Sequence, residues 1–332
     1  MTRPIALSLS ALALLAGLAA AAPDDEGFDL RARYTAKKGD ATRVVEMEKK
    51  AQKFRIVAPD GTEIQSVDQT TGQELRYDEE VHELDAAGKE TISATRRYSG
   101  ISDFTSGEKV DLSARPFVVK ITRTPEGEVR HEPADPAAEA HPLVQQAMAS
   151  ESGMVPPSTE DDFMALMFPE GKVKVGGTWT VPLEDVASVF DMGDPAEEPK
   201  MQDGPLAPPP APGTPATEAK PPAIDPAKSS CTGTLEGVDV EDGVKLLRIK
   251  VVVKLVMNRF SGSPTKGPVT FDGTMTFRLS EGGTSPLGGA TMHMALKGTV
   301  LPEGDDSLPP GSSVELDIST DMTKTVTKVP AK

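Results

Sequence analysis

Cysteine is nearly absent from this sequence. One thiol, Cys231, stands among 332 residues, so no intramolecular disulfide can staple the fold. The chain must rest on a hydrophobic core, which a protein of this length can build. Aromatic residues are scarce as well, at 4%, with a single tryptophan, Trp179. The four histidines are His82, His131, His141 and His293, and no two lie within four residues of each other. That spacing excludes an H-E-x-x-H zinc signature. Paired Cys-x-x-Cys, a G-x-S-x-G elbow and a Gly-Lys phosphate loop are missing too. Positive charge is in deficit, with 35 Lys and Arg against 51 acids and a formal charge of −16. Such a balance repels phosphates and argues against nucleic acid or an anionic membrane surface as partner.

Long apolar runs are lacking except at the start. Ile5 to about Ala22 follows the basic Arg3 and ends in small residues, with Ala19 and Ala21 placed for signal cleavage. Residues 1–21 are therefore read as a signal peptide, and the protein as exported, either periplasmic or extracellular. Loss of Arg3 with the leader leaves a mature charge of −17. No transmembrane segment is expected in the mature chain. Between 193 and 228 large apolar residues almost vanish and prolines accumulate, three of them consecutive at Pro208–Pro210. Such a stretch buries too little surface to offset its ordering entropy, and it predicts a Pro-rich disordered loop. The flanking blocks, 22–192 and 229–332, are expected to complete one domain together.

What remains is mostly β in pattern. In FDLRARY, Phe28, Leu30, Ala32 and Tyr34 alternate with charged residues and predict a strand. QKFRIV runs through Asp60-Gly61, a hairpin dipeptide, into TEIQSV. QELRYDEEVHEL, ETISATRRYS and PFVVKITRT follow. After the loop, Ile249, Val251, Val253, Leu255 and Met257 share one face, then Phe271, Gly273, Met275, Phe277 and Leu279. Met292, Met294 and Leu296, then Val314, Leu316 and Ile318, repeat the scheme. One wet face throughout predicts antiparallel sheet. Three short helices are expected in the middle, near 141–150, 158–168 and 183–190. The fold class is thus mainly β: a curved, half-barrel-like antiparallel sheet with a few short helices on its concave face.

FVVKITRTPEGEV, the phrase FPEGKVKVGGTWTVPL, and the later GVDVEDGVKLLRIKV and FDGTMTFRLSEGG stand in an order that is similar to a family of exported bacterial β-proteins known as a domain of unknown function. The resemblance spans about residues 28–325 apart from the Pro-rich insertion, and its most specific part is P-x-x-x-V-x-V-G-x-x-W at Pro169–Trp179. It implies export and a curved antiparallel sheet embracing helices. It brings no activity, cofactor or catalytic residue.

Neither catalytic residues nor a metal or cofactor set can be assigned. His293 falls on a wet strand face, His141 at a helix start, and His82 among solvated acids. Adjacent carboxylates on a strand point to opposite faces and cannot pair for acid–base work. Cys231 is expected in the core. The candidate lining of an apolar-ligand site, or of the core itself, is Trp179, Phe190, Phe163, Met275, Phe277, Met292 and Met294. Methionine suits an irregular apolar cavity, and Gly273 and Gly298 leave room along the same rows. Trp179 is expected to anchor a strand-to-helix corner. The expected role is that of a non-catalytic envelope protein, structural or protein-interacting, with an unknown envelope protein or an apolar ligand as partner. A carrier or sensor of a lipid-like ligand is the alternative, and an enzyme the third.

Overall fold

Period-two patterning becomes long strands in the computed structural model, which describes residues 27–32, 34–86, 91–124, 128–135, 140–151, 164–189, 224–260, 263–302 and 308–329. The first half holds β1 (Phe28–Asp29), β2 (Ala41–Val57), β3 (Glu63–Leu84), β4 (Thr91–Asp103), β5 (Lys109–Asp111), β6 (Phe117–Arg123) and β7 (Val129–Pro133). Helix α1 (Pro142–Glu151), β8 (Lys172–Val173), β9 (Thr178–Thr180) and α2 (Leu183–Val189) form the middle. The second half is β10 (Ser230–Glu241), β11 (Val244–Phe260), β12 (Ser263–Ser280), β13 (Gly288–Val300) and β14 (Ser313–Lys328).

Almost all of these strands join one open antiparallel sheet, ordered β7-β6-β4-β3-β2-β14-β13-β12-β11-β10-β9, with β5 beside β4. Each half is a meander of hairpins. The halves meet where β14 runs beside β2 in unbroken register from Ser313–Val57 to Lys328–Thr42. Asp242 and Gly243 turn β10 into β11 with positive φ angles of 50° and 78°, the conformation of a two-residue type I′ turn.

Two cores lie on the concave face. In the C-terminal half the predicted inward row of β11 is buried from Ile249 to Met257, and Met275 and Phe277 of β12 are buried beside it. Phe28, Leu30, Met167, Phe168, Val181 and Val186 close over this surface. In the N-terminal half, Val144 and Ala147 of α1 are fully buried against a cluster that includes Val44, Leu75, Tyr77, Tyr98 and Val119. Pro142 opens α1, where its missing N–H costs nothing. The His141 ring accepts the Leu143 N–H through Nδ1 at 3.3 Å, which satisfies one of the donors a helix start leaves over.

Several expectations need correction. FDLRARY is not a strand beyond Phe28–Asp29, which pairs with β8. The Asp29 carboxylate accepts the Arg31 N–H at 2.9 Å and turns the chain. The Arg31 guanidinium then donates to the Phe168 and Ala165 carbonyls at the end of the helical turn 164–167. The two segments read around Glu63 and Leu84 are a single strand of 22 residues. Residues 224–228, read as the end of the disordered loop, are tied down instead. Ile224 bridges to Met257, and Asp225 donates its N–H to the Val256 carbonyl at 2.7 Å. The leader, the rest of that loop and the start of the 158–168 helix lie outside the described residues. Among the described residues no helix is long and apolar enough to cross a membrane.

Candidate functional site

The strand-to-helix corner comes first, because it decides what the aromatics are free to do. Trp179 on β9 faces Gly233 on β10 in register. A Cβ at Gly233 would stand 2.1 Å from the indole, so only glycine lets the ring lie flat on the strand. The indole N–H donates to the Met167 carbonyl at 2.8 Å. Its edge meets Phe168 at 6.1 Å, and Phe168 in turn meets Phe277 at 5.5 Å, both close to perpendicular. This is the T-shaped geometry aromatic rings prefer. The chain of rings closes the C-terminal core and ties the tryptophan into it, with one face against Gly233.

Between the two cores the concave face is uncovered by the described residues. One row there runs Phe277, Ala290, Lys324, Glu46 and Leu75 across β12, β13, β14, β2 and β3. The next runs Met275, Met292, Met322, Glu48 and Gln73. At about 4.8 Å between strands, either row spans roughly 19 Å from core to core. Two hollows sit on these rows. One of about 360 Å³ is lined by Tyr34, Met164, Phe277, Leu279, Leu287 and Val326. The other, about 370 Å³, is lined by Leu75, Met292, Met322, Glu46 and Glu48. They share Ala290 and Lys324 as walls, so they adjoin, and the pair of them is the trough discussed from here on. The Lys324 ammonium pairs with the Glu46 carboxylate at 2.7 Å on its floor. At the mouth Tyr34 donates its hydroxyl to Asp40. Burial first, and then the Asp40 contact, push the phenol up to about 12, so it stays a neutral donor.

Of the residues proposed from sequence, Phe277 and Met292 line the trough. Met275 is fully buried beneath it, and Met294 is half-buried against the C-terminal core. Trp179 belongs to the corner. Phe163 and Phe190 lie outside the described residues. Met322, another methionine of the C-terminal strands, joins Phe277 and Met292 in the lining, whereas Ala290, Lys324 and Glu46 were missed. Their periodicity was readable, but their meeting depends on β14 pairing with β2, which no local pattern announces.

Three of the histidines have separate polar neighbours. His82 Nε2 lies 2.6 Å from the Thr95 hydroxyl, His141 Nε2 lies 3.4 Å from Glu108, and His293 Nδ1 lies 2.6 Å from Asp321 on the convex face. Among the described residues no group of three His, Cys, Asp or Glu is arranged to hold a metal. Cys231 is fully buried, and burial pushes its thiol up to about 11, away from nucleophilic use. A larger hollow of about 1100 Å³ beside α1 is walled by the exposed Asp111 at the end of β5 and by the exposed loop residues Ala114, Arg115 and Pro116. No protein-family model matches the chain, and no curated protein matches it.

Proposed function

We propose that the protein is an exported, non-catalytic carrier or sensor that shelters a lipid-like ligand in the trough between its two cores. The observation that carries this reading is the apolar floor of Phe277, Leu279, Ala290, Met292 and Met322, left open while both flanking cores are sealed. Burial of roughly ten methylenes there supplies about 8 kcal/mol before the ordering cost. The adaptable methionines accept chains of differing shape. Glu48 in the lining, beside a Glu46 already neutralised by Lys324, and a formal charge of −16 overall disfavour a strongly anionic head group. The resemblance drawn from Pro169–Trp179 fits export.

Protein purified from its own envelope and examined by native mass spectrometry with solvent extraction tests the carrier. One equivalent of lipid is expected. Ala290→Trp, which fills the shared wall, and Met292→Arg should each abolish that adduct while the far-ultraviolet dichroism stays unchanged. An empty wild-type protein that also takes up no added lipid would overturn the reading.

A further inference from the structure

Among the described residues the free edges of the sheet differ greatly in character, and β5, paired only with β4, is three residues long. β7 is five residues long and ends in Pro133, and β9 is three residues long. Beyond β9, β10 carries Glu236, Asp239 and Glu241, which pair with Arg248 of β11 and Arg278 of β12. Short edges, proline and charge are the usual protections against strand pairing. β3 is different. It pairs with β2 from Glu63 to Glu80, whereas its pairing with β4 begins only at Gln73. Residues 63–71, EIQSVDQTT, therefore have β2 on one side and, among the described residues, no strand on the other. They hold no proline, glycine or lysine. The change occurs at Gly72, whose φ is 118° and where a Cβ would stand 2.1 Å from the Glu48 carbonyl oxygen. The Gly72 carbonyl accepts the Phe104 N–H at 2.8 Å, so the β4–β5 connection closes there and leaves the preceding nine residues open.

We infer that this edge pairs antiparallel with the same edge of a second copy, with Val67 on the two-fold axis. A symmetric interface must be self-complementary, and this stretch is. About Val67, Ser66 faces Asp68, Gln65 faces Gln69, Ile64 faces Thr70 and Glu63 faces Thr71, so no like charges stand opposite. The convex-face charges extend the match. Lys297, Asp317, Lys53 and Asp68 form one row of alternating sign across four strands, with Lys297–Asp317 at 3.2 Å and Lys53–Asp68 at 2.9 Å. In the second copy the row continues through Ser66 to Arg55 and Glu315, which are paired at 2.9 Å. The alternation is kept across the axis, with Ser66 as a neutral spacer. Main-chain hydrogen bonds supply affinity in such strand addition. Nine residues a side form a small interface, so the dimer is expected to be weak and concentration-dependent.

The register makes a sharp test with the full chain. Facing Cα atoms in an antiparallel pair lie about 4.5–5.5 Å apart, within disulfide range. Val67→Cys should cross-link to a covalent dimer under mild oxidation, without interference from the buried Cys231. Ile64→Cys alone should not cross-link, but mixed with Thr70→Cys it should. Ser66→Asp opposes Asp68 twice per dimer, while its own neighbour Arg55 keeps it tolerable to the fold. It should weaken self-association at least tenfold in sedimentation equilibrium, with circular dichroism unchanged. A wild-type protein that stays monomeric at high micromolar concentration would overturn the inference. So would cross-linking of Val67→Cys only to some other protein, or cross-linking of Ile64→Cys alone as readily as Val67→Cys.

Discussion

At Trp179 a single side chain shows how a local phrase becomes architecture. The Gly-Gly turn and Pro182 were visible in the sequence, and they mark the corner. Its partner Gly233, 54 positions further along, was not, because nothing in CTGTLEGV says that one glycine must face an indole. Trp179→Ala removes a half-buried ring and its bond to the Met167 carbonyl, and should destabilise by about 2–4 kcal/mol in urea titration. Gly233→Ala should cost about 1–3 kcal/mol by lifting the same ring, with a red shift of tryptophan fluorescence. Cys231 gives a prediction in pH. Its thiol is pushed up to about 11 in the folded protein, whereas an unfolded chain ionises it near 8.5. Above that lower value the unfolded state binds fewer protons, so stability is full below about pH 8.5 and falls as pH rises toward 11. Tyr34, up to about 12, adds the same sign at higher pH. Cys231→Ala should therefore flatten the decline in urea midpoint between about pH 8.5 and 10. An identical slope in both proteins would remove the thiol from the account.

Elements were legible where one face was buried along their whole length. β11 and β12 alternate strictly, and their inward rows match the buried ones, because a one-residue slip would expose every apolar side chain. FDLRARY alternates just as well, yet the strand described there is Phe28–Asp29 alone, since Arg31 serves a helix end instead of solvent. Arg31→Ala should cost about 1–2 kcal/mol through the freed carbonyls of Ala165 and Phe168, read as a lower thermal midpoint. β3 was read as two segments because its first part, 63–71, carries no inward apolar stripe. That half is held by backbone pairing to β2, which leaves little trace in side chains. Helix α1 was legible from Val144 and Ala147, both fully buried. Val144→Asp places an unpaired carboxyl in the N-terminal core and should destabilise by more than about 3 kcal/mol. Hydrogen exchange should then show β4, β6 and β7 losing protection before β11 and β12 do.

Among the described residues two sealed cores share one sheet, and the trough lies between them. Removal of β14 by truncation after Gly311 would strip the seam and expose β2 and β13 as long free edges. The shortened protein is expected in the insoluble fraction, whereas a two-domain chain would keep each half soluble. This long-range pairing was the part the sequence could not convey, since strands of similar alternation are interchangeable until their neighbours are known. It also governs how the chain comes into being. Arg55 and its partner Glu315 are 260 residues apart. At roughly 5–20 residues per second of synthesis, β2 waits about 13–50 seconds for the strand that will cover its second side. For that interval the nascent chain presents a bare β2 edge to any other strand nearby. Only β14 brings its two halves into one sheet.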